Sequence, residues 1–270
     1  MKSQFLSTKH TSYFDVYDSL FSKFLQQRIT FVEVGVLNGG SLFMWRNYFG
    51  SKARIIGIDS NPGAEKWLEY GYEIYVGDQA NPVFWEETLE KIGPIHVLLD
   101  DGGHTYIQQI VTVEKVLSKI VDGGLVVVED VHTSYLRGYG SHRFTFIDYV
   151  HGYIDRINFR SAVIGKEEKA DNRVSKIEIY DSIVAFHVNR SMSQSISKPI
   201  ANHGKNDFAR DFRNVELHAL LKWEKVSKLL GLYKFPILRR LVYEIRVFLA
   251  NSNSRYRATK KFLNNRNVKN

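Results

Sequence analysis

Between residues 29 and 129 the sequence repeats one pattern that restricts the possible folds more than any other feature. Short runs rich in Val, Ile and Leu alternate with stretches whose apolar residues follow helical spacing. Strands that alternate with helices form βαβ units, so the strands are expected to lie parallel in one sheet. The five runs are 29–36, 54–59, 73–78, 95–100 and 124–129, and the predicted helices lie near 13–27, 42–48, 62–70, 82–92, 105–120 and 144–157.

Two further apolar runs, 176–180 and 183–188, follow the last of these helices. Only Asp181 and Ser182 separate them, and so short a connection permits only an antiparallel hairpin. We therefore expect an α/β fold with a Rossmann-like seven-stranded sheet, made of five parallel strands plus a C-terminal antiparallel hairpin. That combination is typical of class I methyltransferases.

Charge divides the chain unevenly. Residues 200–270 contain 16 Lys/Arg and 5 Asp/Glu, a net charge of +11, whereas the first 199 residues have a net charge of −3. A Ser-rich polar stretch at 191–207 indicates a linker. We therefore expect an N-terminal helical segment (1–28), a sheet domain (29–190) and a basic helical extension (208–270).

The predicted helix at 237–250 in this extension has an apolar stripe, with Arg239 and Arg240 mostly off it. Such a helix can lie on an anionic membrane surface, or it can pack against the domain or a partner subunit. No apolar run reaches the length of a membrane span, and the first residues lack the apolar core of a signal peptide. We therefore expect a cytoplasmic protein, with peripheral contact to the inner face of the membrane as an alternative.

The chain has no cysteine, which excludes disulfides, thiolate metal sites and a cysteine nucleophile. Its acidic residues, in contrast, stand at the ends of successive predicted strands. Ligands bind at the carboxyl ends of the strands in an open parallel sheet, so these carboxylates should surround one crevice, where a cation would offset their repulsion. They are Glu33, Asp59, Asp78, Asp100, Asp101, Glu129 and Asp130.

The loop after the first predicted strand suits a nucleotide-type cofactor. Gly35 would let the backbone approach a ligand closely, and Gly39 and Gly40 would open the next helix. Asp59 ends the second strand, where a carboxylate can accept hydrogen bonds from ribose hydroxyls, and Asp78 ends the third. The loop is neither Gly-x-Gly-x-x-Gly nor a P-loop, so a dinucleotide or triphosphate ligand is not indicated.

The fourth and fifth strand ends carry the residues expected to do chemistry. Asp101, Glu129 and Asp130 would supply three oxygen ligands to one hard cation such as Mg²⁺ or Mn²⁺. His104 would remove the proton from a hydroxyl held by that cation, and the oxygen would then attack a methyl group in line. The alternative is structural: acidic residues at strand ends also cap helices, and a histidine also serves as a plain hydrogen-bonding group.

Five segments together resemble the mycinamicin-type sugar O-methyltransferases, which are related to the cephalosporin-biosynthesis methyltransferase group. The resemblance covers about residues 8–190 and implies the class I fold, S-adenosylmethionine, Mg²⁺ and a homo-oligomer. It also implies a sugar hydroxyl as acceptor, on a nucleotide-activated sugar, a polysaccharide or capsule precursor, or a glycosylated metabolite. The segments are 33–45, 57–62, 77–79, 100–104 and 129–135.

Residue by residue, the resemblance implies metal ligands at Asp101, Glu129 and Asp130 and a general base at His104. We assign Asp100 to the cofactor side of the site, and His132 and Tyr135 to the substrate side. The implied cofactor contacts are Glu33, Gly35, Ser41, Asp59, Asp78 and Gln79.

The chain departs from the family pattern in two places. Gly103 stands where the family commonly has Ser, and Thr11-Ser12-Tyr13 stands where its N-terminal segment often has His-x-Tyr. Two alternative functions stay open. The basic extension would suit a nucleic-acid methyltransferase, although the Asn/Asp-Pro-Pro-aromatic motif of base-amino methyltransferases is absent, and the fold could also serve as a non-catalytic binding protein.

Overall fold

A computed structural model of the chain describes residues 5–141, 143–160, 172–196, 198, 200–204, 218–232 and 236–251. By its internal contacts the chain divides into two compact units, 1–199 and 200–270. The first unit contains the sheet, and helices of the second unit lie within 218–232 and 236–251.

The sheet has seven strands in the order β3-β2-β1-β4-β5-β7-β6. The first five strands pair in parallel, while β7 pairs antiparallel with both β5 and β6, which confirms the predicted α/β fold. The strands are β1 (Thr30–Val34), β2 (Arg54–Asp59), β3 (Glu73–Val76), β4 (Ile95–Asp100), β5 (Ile120–Val128), β6 (Val174–Tyr180) and β7 (Ile183–Val188).

Helices follow the strands as the spacing of apolar residues predicts, with short 3₁₀ segments at Ser22–Phe24, Pro62–Tyr70 and Val131–Tyr135. The α-helices of the first unit are α1 (Tyr13–Phe21), α2 (Gly40–Phe49), α3 (Pro82–Ile92), α4 (Tyr106–Val116), α5 (Phe146–Asn158) and α6 (Arg190–Gln194). Those of the second unit are α7 (His218–Leu229) and α8 (Pro236–Asn251).

Apolar side chains cover both faces of the sheet. Trp85 of α3 and Phe146 of α5 are fully buried in the core on one face. Tyr17 of α1 and Trp45 of α2 are buried in the core on the other. Burying large side chains of this kind contributes about 1.5–3 kcal/mol each, so these two layers fix the sheet and therefore the loops at its carboxyl edge.

Several element boundaries differ from the sequence expectation, among them those of α1 and β5. The first helix ends at Phe21 instead of reaching residue 27, because the chain passes through a 3₁₀ turn and Gln26 takes a positive φ of 57° on its way into β1. The fifth strand begins at Ile120, inside the predicted helix 105–120. Ile120 of β5 pairs with Ile95 of β4, and the next pair is Leu125 with Val97. The register between the two strands therefore shifts between these pairs.

The predicted linker and extension are described only in part. The linker begins with the short helix α6, whose first turn is capped by the Asn189 side chain, which accepts from the Met192 N–H at 3.0 Å. Residues 205–217 and 252–270 of the predicted linker and extension lie outside the described residues. In the described part of the chain, none of the helices combines the length and apolarity needed to cross a membrane.

Candidate active site

The strand order reverses at the boundary between β1 and β4, because β2 continues the sheet beyond β1 and β5 continues it beyond β4. Loops leave the sheet in opposite directions at such a switch point, and the crevice between them is where ligands bind. A cavity of about 350 Å³ opens there. Six of the residues that line it were expected from the sequence to be functional: Gly35, Asp59, Gln79, Asp101, His104 and Asp130.

Gly35 brings the loops after β1 and β4 together. It has a φ of 84°, and a Cβ at this position would overlap the backbone carbonyl of Asp101. Its N–H donates to the carbonyl of Ile58 at 2.8 Å. The sequence predicted a close approach of this backbone to a ligand. The structure shows that glycine is needed for the approach of the neighbouring loop, while Gly35 also lines the cavity.

Asp59 fixes the loop that follows β1. Its Oδ2 accepts from the N–H of Val36 at 2.9 Å and of Leu37 at 3.0 Å, and its Oδ1 accepts from Asn61 N–H at 2.9 Å. A carboxylate has about four acceptor positions, so these three bonds leave capacity for a ligand hydroxyl. Asp59 lines the cavity, where the sequence expected a ribose contact.

Gln79 connects the β3 loop with the β4 loop. Its Nε2 donates to Asp100 Oδ1 at 2.9 Å, and its Oε1 accepts from the Gly103 N–H at 3.0 Å. Asp100 itself is buried, and burial raises the pKa of its carboxyl to about 6 against the opposing effect of the Gln79 hydrogen bond. Gln79 therefore holds the loop that presents His104, and Asp100 lies behind that loop instead of lining the cavity.

Three other expected cofactor contacts also do not line the cavity. Glu33 is fully buried and accepts from Ser41 Oγ at 2.7 Å and from Trp45 Nε1 at 3.0 Å. Asp78 is exposed and accepts from the N–H of Ala80 at 2.8 Å. Each of these side chains makes a hydrogen bond within the protein, and the assignment of Glu33, Ser41 and Asp78 as cofactor contacts stays a prediction.

Asp101, His104 and Asp130 form a compact group on the cavity wall. One ligand atom from each lies within 4.8 Å of the others, and all three side chains are partly exposed. His104 Nε2 is 3.4 Å from Asp130 Oδ2 and 4.0 Å from Asp101 Oδ1. His104 Nδ1 is buried and has no hydrogen-bond partner among the described residues. The imidazole therefore faces the two carboxylates through Nε2.

Glu129, the third predicted metal ligand, lies next to this group but is buried. Its Oε2 accepts from the Lys9 ammonium at 3.1 Å, and its Oε1 accepts from the Tyr17 hydroxyl. The same ammonium lies 2.5 Å from Asp101 Oδ2. The structure thus brings together the predicted residues Asp101, Glu129 and Asp130, with Lys9 between two of them.

Lys9, Tyr13 and Tyr17 are site residues that the sequence did not reveal. The Tyr13 hydroxyl donates to Asp130 Oδ1 at 2.5 Å, so the Thr11-Ser12-Tyr13 segment reaches the site despite its departure from the family pattern. Tyr13 and Tyr17 are four residues apart on the buried face of α1. Two buried tyrosine hydroxyls on one helix face require hydrogen-bond partners. That requirement was the sequence signal that could have placed Tyr13 and Tyr17 near polar residues.

Burial and charge act against each other in this cluster. Burial alone lowers the pKa of Lys9, but the carboxylates of Glu129, Glu33 and Asp101 outweigh it and raise the pKa above its usual value. Burial raises the pKa of Glu33 and of Glu129, and the Lys9 charge opposes both shifts. Lys9 is therefore charged, and its charge favours the ionised form of the buried carboxylates near it.

The two residues expected on the substrate side lie outside the cavity lining. His132 Nδ1 is 2.5 Å from Ser182 Oγ and 3.9 Å from Asp130 Oδ1, and about half of its side chain is exposed. Tyr135 is 74 % exposed. Both belong to the 3₁₀ segment beside the site.

The donor set fits a hard divalent cation. Carboxylate oxygens such as those of Asp101 and Asp130 are ligands that Mg²⁺ and Mn²⁺ accept, and no cysteine is present to favour a softer metal. The unpartnered Nδ1 of His104 indicates that the ring is not held by a purely structural hydrogen-bond network.

Comparison with known proteins shows which families this chain resembles. The family described as "Methyltransferase domain" matches residues 32–131, from β1 to the residue after Asp130. Residues 32–131 are therefore similar to a methyltransferase domain. The sequence resemblance to sugar O-methyltransferases is also confirmed among individual relatives.

One relative of the methyltransferase domain is the 8-demethyl-8-alpha-L-rhamnosyl tetracenomycin-C 2'-O-methyltransferase of Streptomyces olivaceus. It is 33% identical over 47% of this chain and 34% of its own length. The mycinamicin VI 2''-O-methyltransferase of Micromonospora griseorubida is 29% identical over 46% of this chain and 32% of its own length. The matches therefore span only about a third of these two relatives.

A solved structure of MycE methyltransferase, from the mycinamycin biosynthetic pathway in complex with Mg and SAH, superposes with a TM-score of 0.63. The two are 22% identical, and the match covers 76% of this chain and 54% of that one. A second MycE structure also contains mycinamycin VI and gives a TM-score of 0.62 at 23% identity. This likeness shows that the two proteins share the class I methyltransferase fold.

Proposed function

We propose that the protein is an S-adenosylmethionine-dependent O-methyltransferase that uses a divalent cation and methylates a hydroxyl group of a sugar. The observation that carries this proposal is that one cavity is lined both by the nucleotide-type side of the crevice, Gly35 and Asp59, and by the acidic group with His104. The MycE complexes with Mg and SAH, and the sugar O-methyltransferase relatives, support the same cofactors and acceptor class.

Each half of the cavity has a distinct task in this reaction. S-adenosylmethionine would supply an electrophilic methyl group, and a divalent cation held by Asp101, Glu129 and Asp130 would stabilise charge that develops on the acceptor oxygen. Asp59 and the loop that it fixes shape the cofactor side, and Gln79 holds the loop of His104 in place.

His104 is the proposed base. Its Nε2 faces the cavity group that would bind the acceptor, and it is close enough to Asp130 to be oriented by that carboxylate. His104 would take the proton of the acceptor hydroxyl, and the acceptor oxygen would then form a bond to the methyl carbon that S-adenosylmethionine supplies. The carbon–sulfur bond of the sulfonium would break as this bond forms, so the positive charge lost from sulfur is balanced by the proton gained by His104. Positioning within the cavity is the main contribution of the protein.

The test is a direct assay for methyl transfer. The protein is incubated with S-adenosylmethionine, Mg²⁺ and a panel of nucleotide sugars and glycosides, and products are analysed by mass spectrometry for a gain of one methyl group. We expect His104→Ala to lower the rate by about 10²–10⁴-fold while binding of SAH persists.

A matched control is His151→Ala, since His151 is an exposed residue of α5 outside the cavity lining. The His151→Ala variant should transfer methyl groups at the same rate as the unaltered protein. Equal rates for His104→Ala and His151→Ala would exclude His104 as the base, and SAH binding without methylation of any hydroxyl acceptor would argue for the binding-protein alternative.

Three other expectations stay predictions. They are assembly into a homo-oligomer, contact of the basic extension with an anionic membrane surface, and a cytoplasmic location. Size-exclusion chromatography with light scattering, and sedimentation with anionic vesicles, are the direct measurements for the first two.

A further inference from the structure

Lys9 projects from a surface segment into the interior of the acidic group. The residues around it, from Leu6 to Ser12, are exposed, but the Lys9 side chain is only 4% exposed. Its ammonium lies 2.5 Å from Asp101 Oδ2, 3.1 Å from Glu129 Oε2 and 3.7 Å from Glu33 Oε1. A single positive charge thus contacts Asp101 and Glu129, two of the three carboxylates proposed as cation ligands. The fully buried carboxylate of Glu33, which is not a proposed ligand, lies nearby.

The ammonium occupies the place that a divalent cation would need. Cations of this class bind carboxylate oxygens at roughly 2.0–2.6 Å, so an ion shared by Asp101 and Glu129 would lie between the oxygens that now hold Lys9. The two positive charges would also repel each other at that distance. Lys9 and a metal that uses these same oxygens cannot both be in place.

The tyrosines of α1 do not conflict with a cation in this way. Tyr13 donates to Asp130 Oδ1 and Tyr17 donates to Glu129 Oε1, which are not the oxygens that hold Lys9. A hydroxyl can donate to one oxygen of a carboxylate while the other binds a metal. Lys9 alone among these three residues has to move, and a variant at Lys9 isolates the effect.

The segment that carries Lys9 is anchored at both ends. The Phe5 ring packs against Trp67 with a centroid distance of 4.7 Å and against Phe43 at 5.1 Å, and α1 begins at Tyr13. Between these anchors, Thr8 lines the cavity. Release of Lys9 would therefore change the cavity wall without requiring the sheet or its helices to move.

We propose that Lys9 is a tethered competitor of the divalent cation, which occupies the cation position of the acidic group until a metal ion displaces it. The inference rests on the proposed function in one respect, the assignment of Asp101 and Glu129 as cation ligands. Lys9 keeps the carboxylates charge-balanced in the metal-free protein, and metal binding releases the ammonium toward solvent.

The first measurement is the affinity for Mn²⁺, followed by calorimetry or electron paramagnetic resonance on the whole chain. Lys9→Met removes the charge and keeps the length of the side chain, and Lys52→Met removes one charge from an exposed residue before β2, at the opposite edge of the sheet. The apparent affinity of a site is proportional to the fraction of protein in which that site is free. Lys9→Met should therefore bind Mn²⁺ at least about tenfold more tightly than the unaltered protein and than Lys52→Met.

The second measurement needs no substitution at Lys9. An amine-reactive acetylating reagent is applied to the unaltered protein with and without saturating Mn²⁺, and acetylation of each lysine is quantified by peptide mass spectrometry. Lys9 should react slowly without metal, because it is buried and ion-paired, and at least about tenfold faster with Mn²⁺. Lys52 should react at the same rate in both.

The outcomes separate the inference from the proposed function. Equal Mn²⁺ affinity in all three proteins, or Lys9 labelling that does not rise with Mn²⁺, overturns the competition but leaves the cation site intact. Absence of Mn²⁺ binding in both the unaltered protein and Lys9→Met overturns the inference and the cation-dependent function together. Weaker Mn²⁺ binding by Lys9→Met would show that Lys9 supports the metal, which also contradicts the proposal.

Discussion

The two sides of the crevice both contain carboxylates, but these carboxylates have different kinds of partner. On the β1–β3 side, defined by the loops after β1, β2 and β3, Asp59 binds three backbone N–H groups and leaves the cavity open. On the β4–β5 side, defined by the loops after β4 and β5, the carboxylates of Asp101 and Glu129 face each other across the ammonium of Lys9.

The two sides differ in where the partners of their carboxylates come from. On the β1–β3 side the partners of Asp59 all lie in the loops of that side, so this carboxylate should bind a ligand without rearrangement. The β4–β5 side depends on a segment more than ninety residues away in the chain to balance its charge. Its response to a cation should therefore involve that segment. Substitutions on the β1–β3 side should weaken binding of SAH, and substitutions on the β4–β5 side should weaken binding of Mn²⁺.

The largest effect is expected from Asp101→Asn, which keeps the shape of the side chain but removes its charge. Mn²⁺ affinity should fall by at least about 100-fold, because a direct ligand matters more than the outer contacts whose loss costs 10–100-fold. Binding of SAH should stay within a factor of about three of the unaltered protein, because it depends on the β1–β3 side. Calorimetric titration with Mn²⁺ and with SAH measures the two affinities separately. An equal loss of both affinities would show that the two sides of the crevice do not bind their ligands independently.

Asp59→Ala should give the reverse pattern. The N–H groups of Val36 and Leu37 would lose their acceptor, and the loop after β1 would loosen, so SAH affinity should fall by about 10–100-fold. Mn²⁺ affinity should be unchanged. Asp155→Ala is the matched control, because Asp155 is an exposed residue of α5 outside the cavity lining, and it should bind SAH almost normally. A larger loss of SAH affinity at Asp155 than at Asp59 would contradict this expectation.

Tyr17→Phe tests how strongly the β4–β5 side depends on α1. It removes the hydroxyl that donates to buried Glu129, and an unsatisfied buried acceptor costs about 1–3 kcal/mol in free energy of unfolding. Tyr48→Phe, which removes an exposed hydrogen bond to Asp18, should cost under about 0.5 kcal/mol. Urea denaturation in EDTA measures both, and equal costs would show that Tyr17 does not stabilise the acidic group.

Gly103→Ser should have the smallest effect. A Cβ at Gly103 would meet the end of the flexible Gln108 side chain, whose Oε1 caps the start of α4 by accepting from the Thr105 N–H at 3.1 Å. Gln108 can move aside, so we expect a loss of under about 1 kcal/mol in thermal unfolding, comparable to part of a helix cap. A much larger loss would mean that this loop does not tolerate the residue common in the related family.

The sequence predicted the sheet well because its information is local. Runs of β-branched residues and the two-residue connection at Asp181-Ser182 determine strands and hairpin without knowledge of distant contacts. The shifted start of β5 at Ile120 could not be seen, since it depends on where β5 pairs with Ile95 and Val97 of β4.

The site was predictable in part for the same reason. Strand-end residues such as Asp101, His104 and Asp130 converge because of sheet topology alone, which the strand pattern predicts. Lys9 reaches the site from an irregular segment, and no periodicity marks such a contact. Glu33 and Ser41 satisfy the sequence motif and bind each other. The motif could not predict this contact, because it does not reveal which way a buried side chain points.

The most direct test of the central claim is methyl transfer to a sugar hydroxyl with the cation removed and restored. Labelled S-adenosylmethionine and an accepted sugar substrate are incubated with the protein after EDTA treatment, and then again after Mg²⁺ is added back. Transfer should be abolished by EDTA and recovered with Mg²⁺, while SAH binding should be the same in both states. Undiminished transfer in the metal-free protein would contradict the central claim.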